Sequence, residues 1–278
     1  MKLCAAIICV SLLAAATLQL HAQAQAQAQA QESFVLYDTF PDGALSPDLW
    51  TGAERGPILD LVRAVKGGEL RLESRTYGNT REDAGVRNSQ VDSGLRRDGK
   101  LTAIRARLHV DRASVTACAA NPAPSEVAAQ IFGAFFNTGE ATPKSHVNDV
   151  AARLTVGRAS NSLDPADRLR VTATVLQCQN DDCSDAVTLS SNDLGTVAVG
   201  ATTTLFVRWL PGNHAFEFRK DTDRVQVNYS VPDVTAPGNP EKLLGLASAV
   251  ANCSLAPRPQ ASIAAAFNTV SVNASAVQ

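Results

Sequence analysis

The sequence predicts an all-β protein built as one antiparallel β-sandwich. Short runs in which apolar and polar side chains alternate recur along the chain, as expected of strands with one buried face. Clusters of Gly, Pro, Asn and Asp separate these runs and favour turns. No long amphipathic helix is predicted, although Leu243–Val250 fits either a short helix or a strand. The predicted strands are Phe34–Phe40, Glu69–Arg75, Val86–Asp92, Leu101–Val110, Val127–Asn137, Asp149–Val156, Arg168–Cys178, Thr203–Leu210, Ala215–Arg219, Arg224–Tyr229 and Ser262–Val272.

The N-terminus has the pattern of a secretory signal peptide. Lys2 precedes an apolar run from Leu3 to Leu20, and His21-Ala22-Gln23-Ala24 supplies an Ala-x-Ala cleavage pattern. We therefore predict a signal peptide over residues 1–24 and a secreted or periplasmic protein. No basic stop-transfer cluster follows the apolar run, so no membrane span is expected after cleavage.

An Ala-Gln repeat follows the predicted cleavage site and has no apolar periodicity. Such a segment cannot bury a hydrophobic face, so residues 25–32 are predicted to be a disordered spacer. The remaining residues, 33–278, are predicted to form the sandwich. With 45% apolar residues, the chain can fill a substantial core.

The charge balance excludes one class of partner. The chain has 25 Lys and Arg against 27 Asp and Glu, and loss of Lys2 with the signal leaves 24 basic groups. Nucleic-acid binding depends on an excess of basic groups, so no nucleic-acid partner is expected.

Four cysteines remain after processing: Cys118, Cys178, Cys183 and Cys253. An even number in an exported chain indicates disulfides, and four cysteines allow three pairings. Cys178 and Cys183 flank a polar turn between two strand-like runs, so we predict that they close a hairpin and that Cys118 pairs with Cys253. A zinc site is not expected, because no His lies near and the compartment is oxidising.

Both ends of the sandwich region carry a family resemblance. The segment from Asp38 to Trp50 contains a Pro-Asp-Gly turn and a Leu-x-x-x-x-Trp insertion, and a Gly-Gly-led strand begins at Gly67. The run from Ala265 to Val272 is similar to a Phe-Asp-x-Val-x-Val closing strand. Together they resemble the concanavalin A-like superfamily of lectins and glucanases. The resemblance implies a jelly roll with adjacent first and last strands, and sugar as the ligand class.

Catalytic signatures of this superfamily are missing from the sequence. The Glu-x-Asp-x-x-Glu motif of the laminarinase-like glycosidases does not occur, and where an alginate-lyase-like enzyme would have Gln-Ile-His, this chain has Gln130-Ile131-Phe132. His146 lies in a polar loop and is expected to be solvated. No catalytic residue is therefore predicted, and a non-catalytic carbohydrate-binding or cell-surface protein is the leading interpretation. The alternative is a polysaccharide-degrading enzyme, lyase- or glucanase-like, acting in the concave face of the jelly roll.

Two sets of site residues follow from the resemblance. Arg75, Tyr77, Arg87 and Gln130 are the candidate ligand-binding residues of the concave face. The resemblance also implies a possible structural calcium ion, with Asp38 on the first strand and Asn268 on the last as its expected ligands. Because Asn268 replaces the usual Asp, weak binding is expected. The sequence determines neither the glycan nor the oligomeric state.

Overall fold

The computed structural model describes residues 33–41, 43–96, 101–136, 145–231 and 241–276. The predicted signal peptide and spacer lie outside the described residues. Two short 3-10 turns, Pro211–Asn213 and Ala274–Ala276, accompany the strands. The strands are β1 Phe34–Asp38, β2 Trp50–Arg55, β3 Asp60–Val65, β4 Leu70–Tyr77, β5 Val86–Leu95, β6 Ala103–Val115, β7 Glu126–Phe136, β8 Val150–Ala159, β9 Arg168–Cys178, β10 Ala186–Ala198, β11 Thr202–Leu210, β12 Ala215–Lys220, β13 Asp223–Asn228, β14 Lys242–Ala251 and β15 Gln260–Asn273.

The strands form two antiparallel sheets. The first sheet has the order β13-β12-β11-β6-β15-β4-β3, with β1 also paired to β15, and the second has the order β10-β9-β8-β7-β14-β5-β2. The chain crosses between the sheets repeatedly, so that β4, β6 and β15 lie in one and β5, β7 and β14 in the other. The predicted antiparallel jelly-roll sandwich is confirmed, including the adjacency of the first and last strands.

The core lies between the sheets and follows from the alternation of the strands. The fully buried residues alternate with polar ones. Leu70 and Leu72 on β4 flank Arg71, and Leu154 and Val156 on β8 flank Thr155. Successive side chains of a strand point to opposite faces, so each strand gives one face to the core and the other to solvent. The outer face of the second sheet is therefore free to carry polar groups.

Three strands differ from the sequence expectation. β2 and β3 are short strands at the sheet edges, and β10 is irregular, with register shifts at Thr188/Ser190 and Asp193/Thr196. Edge strands bury little, so their hydrophobic pattern is weak and the sequence does not predict them. The ambiguous segment Leu243–Val250 belongs to β14, a central strand, where a continuous apolar run is buried on both sides.

Both predicted disulfides are confirmed. Cys118–Cys253 closes a large ring over a sequence separation of 135 residues, and Cys178–Cys183 closes a small ring over a separation of 5. Among the described residues, none lies in a helix long and apolar enough to cross a membrane.

Candidate functional site

A groove of about 830 Å³ crosses the outer face of the second sheet. Its floor consists of residues of β5, β14, β7, β8 and β9. On β5, for example, Asn88, Gln90 and Asp92 line the groove, whereas Val91 and Leu95 belong to the core. Cavities of this size are typical of ligand sites, and this one is the candidate functional site.

One row of residues crosses the floor from strand to strand. The register places Asp92, Gly245 and Gln130 side by side, and Thr155 and Thr172 continue the row beyond Gln130. Two strand spacings separate Asp92 from Gln130, about 10 Å between their Cα atoms. A Cβ on Gly245 would lie 2.5 Å from Asp92 Oδ1, so the carboxyl group lies over the glycine. The position requires a residue without a side chain.

The polar groups of the residues on either side of Gly245 are buried and unsatisfied. Gln130 is 0% exposed and Asp92 is 2% exposed. Both amide atoms of Gln130 and both carboxyl oxygens of Asp92 have no hydrogen-bond partner in the described part of the chain. Buried polar groups are nearly always hydrogen-bonded, and an unpaired one costs roughly 1–3 kcal/mol. Both residues line the groove, so they are the candidate ligand contacts on its floor.

Burial also changes the ionisation of Asp92. Loss of hydration is the largest effect and raises the pKa of Asp92 to about 7, while the nearby Arg55 lowers this pKa and Glu241 raises it by smaller amounts. Removing a carboxylate from water disfavours its charged form. Below neutral pH, Asp92 is therefore a neutral carboxylic acid that both donates and accepts hydrogen bonds.

Arg153 of β8 adds a cation to the same floor. Its guanidinium is partly buried, and its Nε atom has no hydrogen-bond partner among the described residues. Burial lowers the pKa of Arg153, and Glu126, also in the groove, opposes this shift. An arginine stays protonated in proteins, so the groove offers a charged, geometrically fixed donor beside its neutral ones.

Side chains and backbone from three parts of the chain meet at the wall of the groove. Arg55, at the end of β2, donates from Nη1 to the carbonyl oxygen of Asp182 at 3.2 Å. Its Nη2 lies 3.3 Å from Glu241 Oε2. All three residues line the groove, and we call this set of contacts the Arg55 bridge.

The loop that carries Asp182 is held in place by local contacts. Cys178–Cys183 closes it covalently, and Asp182 Oδ1 accepts a hydrogen bond from the Ser184 backbone at 3.1 Å. Hydrogen bonds from Ser184 lower the pKa of Asp182. Asn180 donates to Ser184 Oγ at 2.8 Å and fastens the turn a second time.

His146 differs from the sequence expectation. It is 5% exposed rather than solvated, and its Nδ1 lies 2.8 Å from Oδ2 of Asp149, which is fully buried. The His146 backbone N–H also donates to Asp181 of the disulfide loop at 3.1 Å. The histidine is therefore buried, and its backbone supports the disulfide loop.

Of the four predicted ligand-binding residues, only Gln130 lines the groove. Arg75 and Tyr77 lie on β4 of the first sheet, where Arg75 pairs with Asp60 and its guanidinium carbon lies 5.9 Å from the Tyr77 ring centre. Arg87 lies on β5 but lines a separate cavity of about 510 Å³. The structure does not bring these four side chains together.

The two predicted calcium ligands are engaged with other protein groups. Asp38 accepts hydrogen bonds from the Phe40 backbone and from Trp50 Nε1, both at 2.7 Å, so each carboxylate oxygen holds a donor. Asn268 donates to Glu69 Oε1 at 3.2 Å. Asp38 thus fastens the first loop to the sandwich in this structure.

Sequence reasoning missed Asp92, Arg153 and the Arg55 bridge. One signal for Asp92 was present: the polar series Asn88, Gln90 and Asp92 repeats with period two and alternates with Val91. That pattern predicts a strand with one polar, outward face. Arg55 had no signal, because its partners are 127 and 186 residues away in the sequence.

The chain was compared with families, curated proteins and solved structures. No family model matches, and no curated protein matches. A glycoside hydrolase family 16 endo-glucanase from Bacteroides ovatus is 9% identical over 83% of this chain and 98% of its own, with a TM-score of 0.43. LamAcat from Zobellia galactanivorans is 12% identical over 88% of this chain and 99% of its own, with a TM-score of 0.42.

An alginate lyase, A1-II′, is 15% identical over 74% of this chain and 79% of its own, with a TM-score of 0.35. Likenesses at such identities and TM-scores say nothing about the chemistry of the groove, which follows only from its own residues. The two-sheet antiparallel sandwich of this chain rests on the topology described above.

Proposed function

We propose that this protein is an exported, non-catalytic carbohydrate-binding β-sandwich whose ligand occupies the groove of the second sheet. One observation carries the proposal: Asp92 and Gln130 bury unsatisfied polar groups on either side of Gly245. A neutral carboxyl group and an amide each both donate and accept hydrogen bonds, and so does a sugar hydroxyl. A polyhydroxylated ligand therefore matches the hydrogen-bonding chemistry of both groups.

The remaining groove surface supports the same class of ligand. Thr155, Thr172 and Thr174 add hydroxyl groups to the floor, and Phe132 adds an aromatic face. Sugar-binding sites combine hydrogen-bonding side chains with an aromatic ring that packs against the sugar.

Export is part of the proposal. Two disulfides are favoured in an oxidising compartment, and the leader-like N-terminus provides a route to one. Detection of a mature chain that lacks the first 24 or so residues in the extracellular or periplasmic fraction tests this step. A full-length cytosolic product contradicts it.

The alternative function, polysaccharide cleavage, has one observation in its favour. Four carboxyl groups line the groove, those of Asp92, Glu126, Asp182 and Glu241. The pKa of Asp92, raised to about 7, is that of a group able to donate a proton near neutral pH. Of the four candidate ligand-binding residues, which would also line the cleft of such an enzyme, only Gln130 is in the groove.

A glycan array together with a polysaccharide-degradation screen tests both functions. Gln130→Leu removes the amide at similar volume and is expected to weaken glycan binding at least tenfold, about 1.4 kcal/mol or more. Arg107→Ala, an exposed change on β6 of the other sheet, is the matched control and is expected to bind like the parent protein. If the parent protein releases products from a polysaccharide and Asp92→Asn does not, the protein is an enzyme rather than a binding protein. Binding to no glycan, or equal binding by the parent and Gln130→Leu, contradicts the groove assignment.

A further inference from the structure

We infer that the groove takes an acidic glycan, whose carboxylate or sulfate group is held by the guanidinium of Arg153. This inference rests on the proposed carbohydrate-binding function and adds the chemical class of the ligand. It follows from the contacts of the arginines in the groove, because Arg153 is the one that the described part of the chain provides with no hydrogen-bond or ion-pair partner.

Four arginines line the groove: Arg55, Arg153, Arg158 and Arg170. Arg55 and Arg170 form ion pairs with carboxylates. Arg158 donates to three backbone carbonyl oxygens at 2.7 to 3.2 Å. Among the described residues, Arg153 has neither kind of contact, and its Nε atom is buried without an acceptor. Its position is therefore not explained by an interaction within the sheet.

The neighbours of Arg153 on the floor carry no charge. The register places Phe132 of β7 and Thr174 of β9 beside it. Ala151 and Thr155 precede and follow it on the same face of β8. Phe132 and Ala151 also belong to a small apolar cluster next to the Cys178–Cys183 disulfide. Apolar surroundings strengthen the attraction between a cation and an anion that reaches it.

The acidic group that affects Arg153 electrostatically acts from a distance. Glu126 opposes the lowering of the Arg153 pKa by burial. Its residue pairs across the sheet with Ala159, six residues along β8 from Arg153, so the two backbones are about 20 Å apart. The structure shows no ion pair between these two side chains. A partly buried cation without a counterion is unfavourable, so the site is suited to an anion supplied by the ligand.

The chemistry of the guanidinium selects the kind of group that binds. Only the Nε atom of Arg153 is among the buried nitrogens without a partner, so its two terminal nitrogens are accessible from the groove. A guanidinium presents donors in a planar fork that matches two oxygens of a carboxylate or sulfate. A neutral sugar hydroxyl accepts one of these bonds but does not balance the charge. Phe132, beside Arg153, offers an aromatic ring for the apolar face of the same sugar.

Matched acidic and neutral polymers test this inference. Isothermal titration calorimetry of the mature protein is performed with alginate and carboxyl-reduced alginate, and with dextran sulfate and dextran. The acidic member of at least one pair is expected to bind ten times more tightly or better, and the pair that shows the preference identifies the carboxylate or the sulfate. Equal binding within both pairs overturns the inference and leaves carbohydrate binding intact. Binding to none of the four also overturns it, and the neutral glycans of the array then decide the proposed function separately.

Variants of Arg153 test the residue itself. Arg153→Gln is expected to remove the preference for the acidic polymer, and Arg153→Lys to keep part of it, because lysine retains the charge but not the planar fork. Arg107→Gln removes the same charge at an exposed position of the other sheet and is expected to keep the parent preference. An Arg153→Gln protein that retains the full preference contradicts the assignment.

Thermal unfolding without glycan separates a ligand contact from a structural role. Arg153→Gln removes a charge that has no partner in the described residues, so its thermal midpoint is expected to be no lower than that of the parent. A midpoint several degrees lower would show that Arg153 holds the fold together, and would contradict the inference.

Discussion

Asp92→Asn is expected to stabilise the protein, and to do so increasingly as the pH rises. Asparagine has nearly the shape of the protonated aspartate but cannot ionise. In the folded protein, burial raises the pKa of Asp92 from 3.8 to about 7. A carboxyl group with a raised folded-state pKa contributes stability that is present below its unfolded pKa and is lost as the pH rises through the folded value.

The magnitude follows from the size of the shift. A change from 3.8 to about 7 is roughly three pKa units, and each unit corresponds to about 1.4 kcal/mol, so ionisation of Asp92 costs up to about 4 kcal/mol above pH 7. The advantage of Asp92→Asn over the parent should therefore grow by about 2 kcal/mol between pH 3 and pH 5 and reach about 4 kcal/mol by pH 8. Water entering the groove reduces these figures. Any unmet hydrogen bond of the asparagine amide is the same at every pH and cancels in the comparison.

Urea unfolding of both proteins at several pH values measures this difference. Asp48→Asn, at an exposed position in the first loop, serves as the control and is expected to differ from the parent by less than about 0.5 kcal/mol at every pH. A constant difference between Asp92→Asn and the parent from pH 4 to pH 8 would refute the argument, because it would mean that Asp92 ionises as easily in the folded protein as in the unfolded one.

Three further outcomes are expected. Removing the cysteines of the large ring should lower the free energy of unfolding by up to about 5 kcal/mol, and removing those of the small ring by about 2 kcal/mol, because a larger ring restricts the unfolded chain more. Urea titrations under non-reducing conditions measure both losses, and equal losses contradict the ring-size argument. Gly245→Ala should lower the free energy of unfolding by about 1–3 kcal/mol and weaken glycan binding, because its Cβ would lie 2.8 Å from the Val91 carbonyl oxygen. Gly212→Ala, with open space around it, should change neither stability nor binding. The thermal midpoint should be equal in calcium and in chelator because both Asp38 oxygens already accept protein hydrogen bonds; a calcium-dependent increase would show that these bonds yield to the ion.

The candidate site was only partly predictable from the sequence. Gln130 lines the groove, whereas Arg75 and Tyr77 lie on the other sheet. Alternation along β4 shows that these two side chains share a face, yet it does not tell to which sheet the strand belongs. For Arg87 the sequence pattern was informative. Arg87 and the core residue Val91 are an even number of residues apart, so their side chains share one face of β5, and Asp92 lies on the other face.

The sequence by itself determined most of the strands, the turns between them and the short hairpin ring of Cys178–Cys183, because these depend on neighbours within a few residues. Only the tertiary structure decided that Asp92 and Gln130 share one row and that Arg55 contacts Asp182 and Glu241. Asp92 and Gln130 meet through β14, a strand from a distant part of the chain, and the Arg55 contacts span 127 and 186 residues. Sheet order and loop closure set such distances, and both result from burying many side chains at once rather than from any local pattern.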